Sequence, residues 1–529
     1  MIERRAFLRA LVGGLLGWAG LACASSSTLE RPWTAPLELD SPSSSSFISW
    51  RWGQNSWHWQ PNPSQVWSAL PAESLSKAPV SWWRGRSRSW EVAIVGAGVT
   101  GLSCARSLSR QGEDDFLLLD FYNQAGGCAR SLAWDLSWAP WGAARLALPH
   151  LQAENEDLLG YLEELGIIEG WDSAGRPRYE AASLLHDPAE RLLSYGRWVF
   201  GLYDPQAPQL LSPQEGQNFQ SWLGELLKAP PSASWANLSW EAFLQRFPGN
   251  REWVKLLSRL LLGPLTLLPL SSISASAVLQ YLRRYGSPDQ PLKLQGLSWP
   301  QGLQRLLQPL IERFSSRLVL NSLVYGLERQ GKYWQLRWLQ LPSLQAYRLQ
   351  AKRIVLTGAL PLAARLLAPL WSWQGAASPR AGAAFKSAIL PPGGNRPESY
   401  QAFNANDLAF CQRLESHPQL LYISTQNQER TAHPRSHYLL LRRSAQEYGP
   451  RQLPALQSQL LTEGEIFDPH FSEASHHFWI HNFPAARAPV IGSHLPPSLP
   501  SEPGLYLKLG DLTPWPNFAR SWRLGLLKL

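Results

Sequence analysis

Three glycines and one aspartate have the residue types and spacing of a dinucleotide-binding site. Gly96, Gly98 and Gly101 form a GxGxxG sequence, and Asp120 follows Gly101 by 19 residues. The first glycine of such a motif permits a tight turn, the second lets the backbone approach a pyrophosphate, and the third lets a helix pack closely on a strand. An acidic side chain at this distance accepts hydrogen bonds from ribose hydroxyls. The predicted ligand-binding residues are therefore Gly96, Ala97, Gly98, Thr100, Gly101 and Asp120.

The segments on both sides of the motif have the patterns of the elements that must position it. Residues 92–95 form a continuous apolar run, which is typical of a strand buried in a parallel sheet. Residues 102–110 predict a helix, and residues 116–119 predict a second buried strand. We therefore expect a βαβ unit beginning at residue 91. The phosphates would lie at the N-terminus of its helix, where free N–H groups and the helix dipole favour an anion.

A second glycine pair follows the second predicted strand. Gly126, Gly127 and Arg130 lie in the sequence QAGGCARS, and a nicotinamide site does not need them. The pattern from Val92 to Ser131 resembles the superfamily of FAD-dependent amine oxidases, protoporphyrinogen oxidases and phytoene desaturases. The resemblance implies that the glycine pair and the arginine run along the FAD diphosphate. Asp120 stands where that family usually carries Glu, and a nicotinamide cofactor is kept as an alternative.

The resemblance continues in the family's order as far as Asp511. Residues 141–146 are similar to a segment beside the flavin ring, residues 321–327 to a strand at the adenine, and residues 505–511 to the last strand. The tail after residue 516 departs from the family's closing helix. The further cofactor contacts that the resemblance implies are Gly142 and Ala143 at the flavin ring, the Val324 backbone at the adenine, and Gly510 and Asp511 at the ribityl and diphosphate groups.

Lys386 is the candidate catalytic residue. It is the only lysine between residues 353 and 507, and it occupies a place in order similar to the family lysine that lies near flavin N5 through a water. A surface lysine at a strand edge is the alternative.

His477 and His481 have the spacing of a helical metal-ligand pair, but the residues between them predict a strand, where the two histidines would lie ~13 Å apart. We therefore predict no metal site.

The N-terminus has the features of an export signal. Arg4 and Arg5 precede an apolar run of residues 10–22, which is shorter than the ~20 residues that a membrane-spanning helix needs. The two arginines followed by x-Phe-Leu resemble the twin-arginine signal, which implies export of a folded, cofactor-loaded protein by the twin-arginine export machinery. We expect a periplasmic or otherwise exported protein without a stable membrane span. Simple cleavage is favoured, and lipidation of Cys23 is the alternative.

Tryptophan and charge are distributed in a way that limits the function. Nine of the 27 tryptophans lie from Trp33 to Trp90 inclusive. All but Trp90 are in a leader rich in Ser and Pro that shows neither helical nor strand periodicity. We expect this leader to pack along the folded body, since each indole buries a large apolar area; a surface for a partner is the alternative. The net charge of +9 comes mainly from scattered arginines. A nucleic-acid binder would concentrate them on one face, so we exclude that class.

These patterns predict an α/β protein with a Rossmann-like FAD-binding domain and a discontinuous α+β substrate-binding domain. The predicted segments are a signal peptide at 1–24, a leader at 25–89, FAD-binding parts at 90–149, 295–360 and 500–529, and substrate-domain parts at 150–294 and 361–499. The first substrate-domain part is expected to be mostly helical, with loops. The expected activity is transfer of a hydride from a C–N or C–C bond of a small molecule to flavin, with oxygen or a quinone as electron acceptor. An FAD-binding protein without turnover and an NAD-dependent dehydrogenase are the alternatives.

Overall fold

The computed structural model of the protein describes two large β-sheets, three small sheets of two or three strands, several helices and part of the connecting chain. The described residues are 48–52, 55–60, 80–83, 89–134, 137–140, 145–148, 155–185, 190–194, 197–200, 213–228, 235, 237–249, 254–255, 258, 270–285, 296–299, 301–341, 343, 345–358, 360–368, 382–389, 408–411, 420–425, 436–443, 476–483, 502–508, 522–523 and 525–526.

The strands and helices are numbered in chain order. The strands are β1 Ile48–Trp52, β2 Asn55–Gln60, β3 Val80–Trp82, β4 Trp90–Val95, β5 Phe116–Leu119, β6 Ser131–Trp134, β7 Ser137–Pro140, β8 Arg145–Ala147, β9 Ile168–Trp171, β10 Pro177–Tyr179, β11 Leu184–Leu185, β12 Glu190–Ser194, β13 Arg197–Phe200, β14 Gly296–Ser298, β15 Leu318–Val319, β16 Ser322–Gln330, β17 Tyr333–Gln340, β18 Gln345–Leu356, β19 Gly382–Ile389, β20 Leu408–Cys411, β21 Leu420–Thr425, β22 Ser436–Arg443, β23 His476–Phe483 and β24 Leu505–Leu507. The α-helices are α1 Val99–Arg110, α2 Glu156–Glu164, α3 Pro213–Lys228, α4 Trp240–Leu244, α5 Ala275–Tyr285, α6 Gln304–Arg313 and α7 Leu360–Leu366.

The first sheet contains the predicted βαβ unit. Its parallel strands lie in the order β15-β5-β4-β18-β24, which is 3-2-1-4-5 when they are numbered along the chain. This is the strand order of a Rossmann-like domain, in which a ligand binds beyond the carboxyl ends of the strands. The predicted strands at 92–95 and 116–119 and the predicted helix at 102–110 are confirmed as β4, β5 and α1. The predicted fold class is therefore confirmed.

The long strand β18 joins this parallel part to an antiparallel meander. Its first half pairs with β17, which pairs in turn with β16, and its second half runs parallel to β4. Alternate residues of β4 enter two different apolar cores: Val92 and Ile94 lie in one, and Ala93 and Val95 in the other. Both faces of β4 are therefore covered, as its unbroken apolar sequence requires.

The second sheet has nine strands in the order β1-β2-β23-β19-β22-β21-β20-β12-β13. Its neighbouring strands are antiparallel except for the parallel pairs β2–β23 and β12–β20. The prediction that residues 150–294 are mostly helical is wrong in part, because β9 to β13 lie in that region. Those strands are two to five residues long, which is too short for periodicity to separate them from loops.

The prediction of a leader without strands is also wrong. The hairpin β1–β2 forms one edge of the second sheet, and β3 pairs with β18 of the first sheet. The leader does pack on the body, as predicted, since the Trp83 ring contacts the rings of Trp338 and Tyr347 at centroid distances of 5.5 and 5.0 Å. The described part of the chain contains no helix that is long and apolar enough to cross a membrane.

Candidate dinucleotide site

Two glycines of the motif are required by the fold itself. Gly96 follows β4 and has a φ of +106°, a conformation that residues with a Cβ rarely adopt. A methyl group at Gly96 would overlap the hydroxyl oxygen of Thr357, which donates hydrogen bonds to the carbonyls of Val95 and Gly96. A methyl group at Gly101 would overlap the carbonyl oxygen of Gly96. The turn between β4 and α1 therefore cannot form without these two glycines.

Gly98 is different, because the protein leaves space at this position. Its φ is −77°, which any residue can adopt, and an added Cβ would lie 3.6 Å from the Cα of Gly127, an ordinary contact distance. Gly98 and Gly126 form an isolated parallel bridge, and the Gly126 N–H donates to the Ala97 carbonyl at 2.8 Å. The predicted glycine pair therefore lies directly against the GxGxxG turn. The glycine backbones of the two loops face each other without intervening side chains. A ligand could therefore approach the backbone closely at this cradle.

Asp120 is held beside this cradle by two backbone donors. The N–H of Ala97 donates to Oδ2 at 2.6 Å, and the N–H of Tyr122 donates to Oδ1 at 2.9 Å. Burial raises the pKa of the Asp120 carboxyl, while the two N–H donors and the charge of Arg130 oppose that shift. Each carboxylate oxygen retains a lone pair for a ribose hydroxyl. The N–H of Ala97 donates to Asp120, and its carbonyl accepts from the Gly126 N–H. Ala97 therefore connects both glycine loops to Asp120.

Arg130 places a positive charge at the second loop. Its Nε donates to the Gly127 carbonyl at 2.8 Å, and its guanidinium carbon lies 3.9 Å from the centre of the Tyr122 ring. Burial raises the pKa of Tyr122, so its ring is neutral at physiological pH. The loop is fixed from outside by Gln304 of α6, whose Oε1 accepts from the Ser131 N–H at 2.6 Å. The charge is thus pre-positioned next to the predicted diphosphate.

The N-terminus of α1 has the features of a site that could hold an anion. Thr100 is buried in its first turn, and Leu102 makes the first helical hydrogen bond, to the Gly98 carbonyl at 2.9 Å. The N-cap Gly98 makes no side-chain capping bond, and the first turn carries no acidic residue. The first N–H groups of the helix are therefore available to an anion.

The strand that carries Val324 begins at the backbone of Asp120. The Ser322 N–H donates to the Asp120 carbonyl at 2.7 Å, and the Asn321 N–H donates to the Tyr122 carbonyl at 2.9 Å. Val324 is two residues further along β16, where the register with β17 shifts. Val324 therefore lies two residues beyond a direct bond to Asp120, although 204 positions separate the two residues in the chain.

Five of the predicted site residues remain. Gly142, Ala143, Gly510 and Asp511 lie outside the described residues. Lys386 lies in β19 of the second sheet, with Trp479 of β23 and Leu439 of β22 as its register neighbours. The predicted strand around residues 478–480 is confirmed as part of β23. In the segments that the structure describes, no three His, Cys, Asp or Glu side chains are grouped as a metal site.

The contacts of the C-terminal tail at residues 522–523 and 525–526 were not foreseen from the sequence. Trp522 is 1% exposed and stacks on Tyr161 with a centroid distance of 4.5 Å. Its Nε1 donates to Asp157 at 2.9 Å, and its carbonyl accepts from the Ser103 hydroxyl at 2.6 Å. A methyl group at Gly525 would overlap the Thr100 carbonyl. The tail therefore packs on the first two turns of α1, the helix whose N-terminus faces the predicted diphosphate.

A buried arginine connects the tail to two helices. Arg106 of α1 is 2% exposed and donates to both carboxylate oxygens of Asp157, at 2.9 and 2.8 Å, and to Glu164 at 2.8 Å. Its guanidinium carbon lies 5.6 Å from the centre of the Trp522 ring. A buried charge of this kind is tolerated because it is paired and hydrogen-bonded. An isolated Trp in a basic tail gives no periodic signal from which this contact could be predicted.

Comparison with known proteins supports the fold. Residues 94–162 match the family model of an NAD(P)-binding Rossmann-like domain. The sequence matches no curated protein. A putrescine oxidase double mutant is similar in structure, with 13% sequence identity and a TM-score of 0.56 over 83% of this chain and 98% of that chain.

Two further solved structures are similar over the same share of this chain. One, from Exiguobacterium sp. 255-15, is assigned as a protoporphyrinogen oxidase; it has 16% identity, a TM-score of 0.54 and 98% of its chain covered. The other is a CLA-producing fatty acid isomerase from P. acnes, with 14% identity, a TM-score of 0.55 and 98% of its chain covered. The chain shares the fold of these proteins. Because they carry out different reactions, the fold alone does not fix the reaction of this chain.

Proposed function

We propose that the protein is an exported FAD-dependent oxidoreductase that takes a hydride from a C–N or C–C bond of a small molecule and passes the electrons to oxygen or a quinone. The observation that carries this proposal is the pair of facing glycine backbones at Gly98 and Gly127. Folding does not require a glycine at position 98, because a side-chain methyl group would fit there. A diphosphate that contacts the backbone does require a glycine, because a side chain would occupy its place. Asp120, Arg130 and the N-terminus of α1 surround that space with groups suited to ribose and phosphate.

The second loop favours FAD over a nicotinamide cofactor. Gly126, Gly127 and Arg130 extend the cradle beyond the GxGxxG turn, and the strand that carries Val324 begins at the Asp120 backbone. The solved structures with this fold include oxidases, in line with a redox cofactor. When bound, the isoalloxazine ring supplies the hydride acceptor and the protein supplies position and electrostatics. Gly142 and Ala143 at the ring, and Gly510 and Asp511 at the ribityl and diphosphate groups, belong to the same proposal.

The chain's own residues would divide the work between the two sheets. Residues of the first sheet bind and orient the cofactor, since the glycine loops and Asp120 fix its diphosphate and ribose. Lys386 of the second sheet would hold a water, through its ammonium Nζ, near the reacting edge of the ring. The hydride carries two electrons away from a substrate C–H bond, so the substrate is oxidised by two electrons. The residual proton leaves the donor to solvent or to a nearby base.

Export and location form part of the proposal. The N-terminal Arg4–Arg5 signal would direct an already folded, cofactor-loaded protein to the twin-arginine machinery, after which the chain is periplasmic or otherwise exported. Cleavage after residue 24 is favoured over lipid attachment at Cys23. A tightly held cofactor and export in the folded state are consistent requirements, because a loosely bound flavin would be lost outside the cytoplasm.

A cofactor measurement on a pair of glycine variants tests this function. We expect the purified protein to be yellow and to release FAD on denaturation. Gly98→Ala should fold, because its new methyl group meets only Gly127 at 3.6 Å, but should retain at least tenfold less FAD. Gly160→Ala is the matched control, since an added Cβ at this position in α2 meets nothing within 4 Å. Flavin absorbance and far-ultraviolet circular dichroism measure the two properties separately.

Three outcomes would contradict the proposal. A colourless wild-type protein without extractable FAD refutes the cofactor assignment. Nicotinamide in place of flavin supports the NAD-dependent dehydrogenase. Bound FAD that no amine, amino acid, porphyrinogen or polyene reduces supports a flavin-binding protein without turnover. The first two outcomes concern the cofactor and the third concerns the reaction, so they can be told apart.

A further inference from the structure

Two buried groups of opposite charge lie near each other in the candidate dinucleotide site. Asp120 and Arg130 are both buried, and the charge of Arg130 opposes the rise that burial causes in the pKa of the Asp120 carboxyl. Buried groups of opposite charge ordinarily pair directly, since neither has water to solvate it. The Asp120 carboxylate instead accepts bonds from the N–H groups of Ala97 and Tyr122, and it forms no ion pair within the described part of the chain.

Tyr122 contacts both charged residues. Its backbone N–H donates to Oδ1 of Asp120 at 2.9 Å, and the guanidinium carbon of Arg130 lies 3.9 Å from the centre of its ring. Tyr122 is anchored beside the start of β16, because its carbonyl accepts from the Asn321 N–H at 2.9 Å. The guanidinium is also tied to the second loop, where its Nε donates to the Gly127 carbonyl at 2.8 Å. The ring therefore gives Arg130 a contact that leaves the Asp120 carboxylate to other partners.

We propose that Tyr122 is a positioning residue that keeps Asp120 and Arg130 from pairing, so that the carboxylate stays available to ribose hydroxyls and the guanidinium to a diphosphate. This inference rests on the proposed function, which assigns those two roles. A direct Asp120–Arg130 pair would satisfy both groups within the protein. The cofactor would then have to break a buried ion pair before it could bind. An aromatic face suits this role, because it attracts a guanidinium without using its N–H donors in hydrogen bonds.

The ring of Tyr122 is packed in place and uncharged. The buried ring of Phe121 meets it edge-on, with the two ring centroids 5.0 Å apart. Burial raises the pKa of the Tyr122 hydroxyl, so the side chain stays neutral at physiological pH. A phenolate would instead compete with a diphosphate for the guanidinium of Arg130. The residue that contacts both charges is therefore neutral, and it cannot serve either of them as a counter-ion.

Replacement of the ring and of the arginine, singly and together, tests the inference. Equilibrium dialysis against FAD gives the Kd of each variant, and far-ultraviolet circular dichroism checks its fold. Arg130→Met should weaken FAD binding about tenfold, as the loss of a charge-assisted hydrogen bond does. Tyr122→Leu should weaken it more, by about thirtyfold, because Arg130 then pairs with Asp120 and the cofactor loses both groups. Tyr122→Phe is the matched control; it keeps the ring and both backbone bonds, and its Kd should stay within about threefold of the wild-type value.

The double variant gives the decisive result. With Tyr122→Leu and Arg130→Met together no pair can form, so Asp120 is available again and FAD should bind about threefold more tightly than to Tyr122→Leu alone. A merely structural role would not produce this rescue, because the second change would add to the damage of the first. A double variant that binds FAD no better than Tyr122→Leu overturns the inference, as does a Tyr122→Phe protein that binds as weakly as Tyr122→Leu. Tyr122→Met takes the place of Tyr122→Leu if the leucine variant does not fold. A wild-type protein without FAD would refute the proposed function instead.

Discussion

The two sheets assemble their functional residues by different means. In the first sheet, the glycine turn, Asp120 and Arg130 all lie between residues 96 and 130, and the strands β4 and β5 with helix α1 bring them to one place. In the second sheet, the register neighbours of Lys386 on successive strands join residues from 49 to 479 through the pairing of eight strands. The first site is encoded locally and the second depends on long-range register. Damage to the two regions should therefore have different consequences.

The largest expected effect belongs to the locally encoded turn. In Gly101→Ala, the new methyl group would overlap the Gly96 carbonyl oxygen, so the turn and α1 would have to separate. We expect a loss of more than about 4 kcal/mol in the free energy of unfolding, enough to abolish a stable fold. Chemical denaturation with far-ultraviolet circular dichroism measures it. Gly98→Ala is the contrast within the same motif, and a Gly101→Ala protein as stable as Gly98→Ala would contradict this division of the two glycines.

The same contrast explains what could be predicted from the sequence. The glycine spacing, the apolar runs of β4 and β5 and the helix α1 were all identified, because each is a local pattern of a few residues. The leader strands were missed, although Trp-Arg-Trp at 50–52 and Trp-His-Trp at 57–59 do alternate. Three residues of alternation are too few to establish a strand, and only pairing with β23 makes them one. The prediction that residues 150–294 are mostly helical missed the strands between residues 168 and 200 for the same reason.

The tail is a second example of structure that local patterns cannot reveal. Trp522 is separated from Ser103 by 419 positions, and from Asp157 by 365 positions. The sequence indicated only that residues 517–529 depart from the expected closing helix. The physical reason for the segment lies in its contacts with α1 and α2, which become visible once those helices are placed. The C-terminal tail therefore stabilises helices that pack beside the first sheet, although it comes from the end of the chain.

An intermediate effect is expected when the tail loses its anchor. Trp522→Ala removes a fully buried indole, its stack on Tyr161 and its bond to Asp157, and should cost about 3–5 kcal/mol in unfolding free energy. FAD retention should fall as well, since the tail packs on the first turns of α1. Trp522→Phe keeps the aromatic contact and should lose less than half as much. If Trp522→Ala retains FAD as the wild type does, the tail has no role in holding α1 at the cofactor.

The smallest expected effect on stability comes from a substitution in the second sheet. Such a substitution should alter the rate of the flavin reaction and leave the cofactor bound. Lys386→Met removes the ammonium group proposed to hold a water near the flavin, and we expect flavin reduction or reoxidation to slow about 10–100-fold, at the low end of general acid–base effects. Stopped-flow absorbance measures both steps. Lys352→Met, at a half-exposed lysine of β18 paired with Glu91, is the matched control and should leave both rates unchanged. FAD content equal to wild type with unchanged kinetics would remove Lys386 from the mechanism. Loss of FAD would instead show that the two sheets do not divide binding from reaction as their assembly suggests.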